Sequence, residues 1–162
     1  MTDKPETKAR TDNKTVELPL DKAADFLLNE CRMVLPGIQS LFGFQLIAVF
    51  TTEFSKKLSA TQQHLHLLAV GLIAIAVAMI MTPAAYHRQT GGREVSETLL
   101  RISTRVLLFS MIPLSISLCI EFYIVASVLL DSSLVTVLAL ALFAVFVALW
   151  FVLPRVLVAR ER

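Results

Sequence analysis

Four long apolar stretches dominate the chain. They run from about Met33 to Phe50, Leu65 to Tyr86, Val106 to Leu130 and Leu134 to Leu153. Each approaches the roughly 20 residues a helix needs to cross a hydrocarbon layer about 30 Å thick. None alternates apolar and polar positions as a half-buried strand would. A backbone in hydrocarbon must satisfy its own hydrogen bonds, so the pattern predicts four transmembrane helices. Ahead of them, Leu20, Ala24, Leu27, Leu28 and Cys31 share one helical face, with Asp21, Lys22, Asp25 and Asn29 off it. This predicts an amphipathic lead-in helix at the membrane surface or under the bundle. The fold class is all-α, an integral-membrane four-helix bundle with an N-terminal amphipathic lead-in helix. Residues 1–19 carry few apolar groups and read as a disordered cytoplasmic tail. Residues 20–155 form the four-span domain, and 156–162 a second cytoplasmic tail.

The spans differ in character. The first holds Pro36, Gly37, Gln39, Ser40, Gly43 and Gln45, so it is expected to be enclosed by neighbours, with Pro36 bending its start. The fourth is apolar all round apart from Thr136 and is expected to face lipid.

Composition supports this picture. The chain has 162 residues, 56% hydrophobic and 17% charged. Its mean hydropathy is +0.69, too high for an ordinary soluble domain. The net charge of +2 says little in total, and its distribution says more. Of the 15 Lys and Arg, all but Lys56 and Lys57 flank one side of the predicted threading. The positive-inside rule therefore puts both termini and the middle loop in the cytoplasm, in a multi-pass protein of the plasma (inner) membrane. Tyr86 and Trp150 then sit at the inner interface. The first 20 residues show no apolar signal stretch. Cys31 lies at the inner edge, and Cys119 about 21 Å along its helix from Arg105. The two are too far apart to bridge and read as packing residues.

Polar residues inside the spans are the candidates for chemistry. Glu121 lies about 24 Å past Arg105, in the outer half of the layer. A charge there is costly and faces the bundle by preference. Ser103, Ser110 and Ser117 recur every seven residues on the same helix and form a stripe suited to close helix contact. Two readings stay open: a carboxylate that binds a proton or a monovalent cation, or a hydrogen-bonded Glu that fixes packing. On span two, Gly71, Ala74, Ala78 and Thr82 share a face that His64 extends, while His66 points elsewhere. Glu53, His64, Ser117 and Glu121 thus make a candidate outer site able to hold a cation or respond to pH, against the plainer reading of solvated helix ends.

On the inner side, Glu30, Arg32, His87, Arg88, Arg101 and Arg105 fall at similar depth, with Gln39 two turns further along span one. They form a candidate anionic-ligand or lipid-headgroup site, or a gate. The plainer reading is that the arginines anchor helix ends and Glu30 pairs with one of them.

The stretches "NECRMVLPGIQSLFGFQLIAVF" and "TPAAYHR" resemble a bacterial family of small four-span membrane proteins known only as a domain of unknown function. The matching residues are Glu30, Arg32, Gly37, Gln39, Phe42, Phe44, Pro83, His87 and Arg88, within a resemblance covering roughly residues 26–155. Some members carry the label sodium:proton antiporter. The resemblance implies a shared site at Glu30, Arg32, His87 and Arg88, and it does not extend to His64 or Glu121.

No HExxH, GxSxG or phosphate loop occurs, so no enzyme is expected, and no metal or other cofactor. Nucleic-acid binding has only a short mixed-charge tail to support it. Two classes remain. One is a non-enzymatic, oligomer-forming membrane component partnered with lipid and with copies of itself. The other is a proton- or cation-linked small transporter or channel.

Overall fold

The computed structural model describes residues 19–89, 96–130 and 133–160. The expected tail over 1–18, Arg93 in the middle loop and most of the Asp131–Ser133 turn lie outside the described residues, as do 161 and 162. Helix α1 spans Leu20–Val49, a short α2 Thr52–Lys57, α3 Ala60–Gln89, α4 Glu97–Leu129 and α5 Leu134–Val147. A π-helical turn, Ala148–Val152, joins α5 to α6, Leu153–Arg160. Four helical stretches are long and apolar enough to cross a membrane: α1, α3, α4, and α5 through α6. No strand occurs among the described residues.

Each feature has a local cause. Pro19 precedes α1 and Asp21 sits in its first turn, where a negative charge meets the positive end of the helix dipole. No glycine or proline interrupts Leu20 to Leu35, so the amphipathic stretch is not a separate lead-in element but the first turns of one 30-residue helix. Ser59 and Gln62 form a capping box at the start of α3: the Ser59 amide donates to Gln62 Oε1 at 2.8 Å, and the Gln62 amide donates to Ser59 Oγ at 3.4 Å. Ser96 caps α4 by accepting from the Leu99 amide at 3.1 Å. The π turn comes just before Pro154, whose ring would otherwise crowd the carbonyl four residues back.

Packing follows a seven-residue repeat on three helices. The buried residues of α1 are Ala24, Cys31, Ile38 and Gln45. On α3, His66, Ile73 and Ile80 interleave with Ala69, Ala76 and Pro83. On α4, Ser103, Ser110, Ser117 and Ile124 form the corresponding row. A heptad repeat keeps one seam facing its neighbour when helices cross at a shallow angle. Small side chains fill the α3–α4 seam. Ala69, Ile73, Ala76 and Ser117 are fully shielded, and Ser117 Oγ donates to the Ala69 carbonyl at 2.8 Å. So close an approach of two backbones needs Ala and Ser at the contact. Below it, Cys31, Ile38, Ile73 and Ile80 form an apolar core with Leu27, Leu35, Phe42, Val77, Leu107 and Leu114 around it.

The inward face of α3 differs from the expected one. Gly71, Ala74, Ala78 and Thr82 are exposed, and the row His66–Ala69–Ile73–Ala76–Ile80 is buried instead. Helix α3 is apolar on every side, so hydropathy alone could not choose its rotation, and the fit to the α4 serines did. Along α5 and the π turn, Val135 is the one buried residue. The fourth stretch has the highest mean hydropathy, 2.8, yet only 6% of its most apolar window is buried. That surface suits lipid rather than water.

Candidate functional site

Three helices place polar side chains against one another at the end of the bundle where α1 turns through α2 into α3. Gln45 lies four residues before the last residue of α1, Val49. His66 lies about 9 Å along α3 from its start, and Glu121 about 12 Å from the end of α4. His66 Nδ1 stands 2.9 Å from Glu121 Oε1. His66 Nε2 stands 3.0 Å from the Gln45 carbonyl oxygen. Gln45 Nε2 donates to the same Glu121 oxygen at 2.9 Å and lies 3.4 Å from Ser117 Oγ. The His66 side chain is 5% exposed and that of Glu121 23%.

Where the Nε2 contact is a hydrogen bond, it sets a proton count. A carbonyl oxygen can only accept, so His66 Nε2 carries a hydrogen. The contact between Nδ1 and Glu121 then needs one further proton. Either the ring is an imidazolium beside a carboxylate, or a neutral ring accepts from a carboxylic acid. Both forms hold one shared proton and are neutral overall. Losing that proton leaves the pair with one negative charge.

Short α2 covers the pair. Phe54 meets the His66 ring edge-on, with centroids 5.1 Å apart and planes at 66°. Between them opens a cavity of about 260 Å³, lined by Ala48, Glu53, Phe54, Lys57, Leu58, His66, Glu121 and four apolar residues of α4. Glu53 and Lys57 form an exposed ion pair at 3.1 Å on α2. One turn outward, Gln62 Nε2 donates to Ser127 Oγ at 2.7 Å and ties α3 to α4 again. One buried polar atom among the described residues lacks a partner, and it belongs to this cluster: Gln45 Oε1.

Of the expected outer group, the structure brings together Glu53, Ser117 and Glu121 but not His64. His64 is exposed, and His66 takes its place. The two histidines are two positions apart, about 200° around a helix, so the rotation of α3 decides between them. Gln45 and His66 are the site residues that hydropathy and residue type did not single out. The signal that finds them is the seven-residue spacing: Gln45 continues Ala24–Cys31–Ile38, and His66 continues Ile80–Ile73 backwards.

Among the described residues, no ion pair or hydrogen bond links Glu30, Arg32, Gln39, Arg88, Arg101 and Arg105 to one another. Glu30, Arg32, Gln39, Arg88, Arg101 and Arg105 are exposed, and His87 is half-buried. Arg101 pairs with Glu97 on its own helix at 3.2 Å. Glu30 borders a cavity of about 220 Å³ walled by Cys31, Ile80, Leu107 and Trp150. Arg32 borders a different surface groove on α1, with Lys22 and Asp25. Long side chains at helix ends can reach water separately, and nothing forces them onto one point.

Comparison with known protein families matches residues 13–154 to a family of unknown function (DUF6328). The chain belongs to this family. The matched segment contains all the described residues of the His66–Glu121 cluster and every helix but α6, of which it includes the first two residues. No curated protein matches the chain. No solved structure matches it. The family assignment adds no activity, so the chemistry of the cluster must carry the functional reading.

Proposed function

We propose that this chain is a non-enzymatic multi-pass membrane protein that exchanges the proton shared by His66 and Glu121 for a cation. The observation that carries the reading is the one-sided setting of that proton. The pair borders a cavity under α2 on one side. On the other, the apolar core of Cys31, Ile38, Ile73 and Ile80 begins two helical turns further in. A continuous water-filled channel through one copy does not fit such a core, whereas a carrier that loads at one face does. The distribution of Lys and Arg orients the cavity toward the exterior of an inner membrane, with both termini cytoplasmic.

The test is reconstitution into liposomes holding a pH-sensitive dye, with an imposed sodium or potassium gradient. Proton movement above that of empty vesicles is expected. It should vanish in Glu121→Gln and His66→Gln and persist in Arg32→Ala and His87→Ala. No flux at any pH between about 6 and 9, with potassium, sodium or organic ammonium salts, overturns the exchange reading.

A second reading, an oligomer-forming component, is favoured by one face of α1. Gly37 and Ser40 are exposed there one turn apart, and a side chain at Gly37 would meet nothing within 4 Å. Small side chains one turn apart let another protein helix approach closely. The two readings are compatible, because four helices make a thin carrier and a dimer makes a thicker one.

A further inference from the structure

The cavity beside His66 and Glu121 has walls of a particular chemistry. Leu58, Ile124, Val125 and Val128 are apolar, Phe54 presents an aromatic ring, and Glu121 supplies a carboxylate at the end nearest the core. A small hard metal ion prefers a cage of oxygens and finds few here. An alkyl or aryl ammonium ion matches the cavity better. Its charge meets Glu121, its apolar body meets the aliphatic walls, and Phe54 offers a cation–π surface. A volume of about 260 Å³ lies just below the range of pockets for drug-sized ligands, which points to a small amine.

A further observation points the same way: the charges balance. The groups facing the cavity are Glu53 and Lys57 on α2, His66 on α3 and Glu121 on α4, while α1 contributes none. Glu53 and Lys57 neutralise each other. With its proton the His66–Glu121 pair is neutral, and without it the pair carries one negative charge. One monovalent cation can therefore enter as one proton leaves to water.

We propose that this cavity is a binding site for small apolar monovalent amines in their ammonium form, each bound at the cost of one proton from the His66–Glu121 pair. This rests on the exchange reading above and names its substrate class.

The experiment is calorimetric titration of benzylammonium chloride into the full chain in lipid nanodiscs, between about pH 6.5 and 8.5. Saturable binding is expected, tightening up to about tenfold per pH unit while the free pair holds its proton. Repeating the titration in two buffers of different ionisation enthalpy should show close to one proton released per cation. Phe54→Leu should weaken binding about two- to fivefold. Glu121→Gln should abolish it. Should that variant fail to fold, His66→Gln serves instead, and it should bind with an affinity that no longer changes with pH. Affinity independent of pH in the natural chain, or equal competition by sodium chloride at matched ionic strength, would overturn the proposal.

Nitrogen NMR of the His66 ring separates the two levels of the argument. A protonated Nε2 with a proton shared at Nδ1, but no benzylammonium binding, sinks the amine assignment alone. A His66 ring that titrates as a free imidazole sinks the exchange reading as well.

Discussion

Replacing His66 by leucine leaves the Glu121 carboxyl with Gln45 Nε2 as its one remaining side-chain partner. Breaking a fully buried charge pair costs about 3–5 kcal/mol. Glu121 keeps 23% of its side chain exposed, so solvent offsets part of that loss and the cost here should be nearer to about 2 kcal/mol. Glu121→Leu strands His66 Nδ1 and should cost about 1.5 kcal/mol. The double replacement removes both polar groups and fills similar space, so it should cost about 1.5 kcal/mol or less. The coupling between the two positions is then about 2 kcal/mol. That exceeds the average of about 0.6 kcal/mol for interhelical hydrogen bonds in membranes, because this contact holds a charge or a strongly shared proton. The assay is reversible unfolding by dodecyl sulfate in mixed micelles, followed by far-ultraviolet circular dichroism. The cycle needs the natural chain, both single variants and the double variant. A coupling of about 0.6 kcal/mol or below refutes the shared proton and reduces the pair to ordinary polar packing.

Three further outcomes are expected. Ala69→Leu places a large side chain where Ala69 is fully shielded against Ser117, so it should cost about 1–3 kcal/mol or prevent folding, read as a lowered melting temperature in detergent. Ser96→Ala removes the cap on the Leu99 amide and should cost about 1 kcal/mol, with faster hydrogen exchange in the first turn of α4 and little change at His66. Gly37→Leu should leave the melting temperature of the isolated chain unchanged, because an added side chain there meets open space. If the exposed face of α1 joins two copies, the same substitution should halve the mass measured by light scattering.

Hydropathy determined the number of long helices and their approximate placement. Hydrocarbon allows so few backbone arrangements that a run of about 20 apolar residues has little choice. The seven-residue spacing of Ser103, Ser110 and Ser117 likewise marks the packed face of α4 by itself, since small side chains at that spacing have one good use. The opposite holds for α3. Small residues occur on two of its faces, Gly71–Ala74–Ala78 and Ala69–Ala76, and both would satisfy lipid or protein equally by hydropathy. Only the antiparallel fit to α4 turned Ala69 toward Ser117, and with it His66 toward Glu121 and His64 outward. Gln45 was decided in the same way, by where α1 ends against the other two helices. The sequence thus specified which segments form long apolar helices and that Glu121 needed a partner. The partner itself was a matter of helix rotation, which depends on side-chain fit across an interface and not on how apolar each helix is.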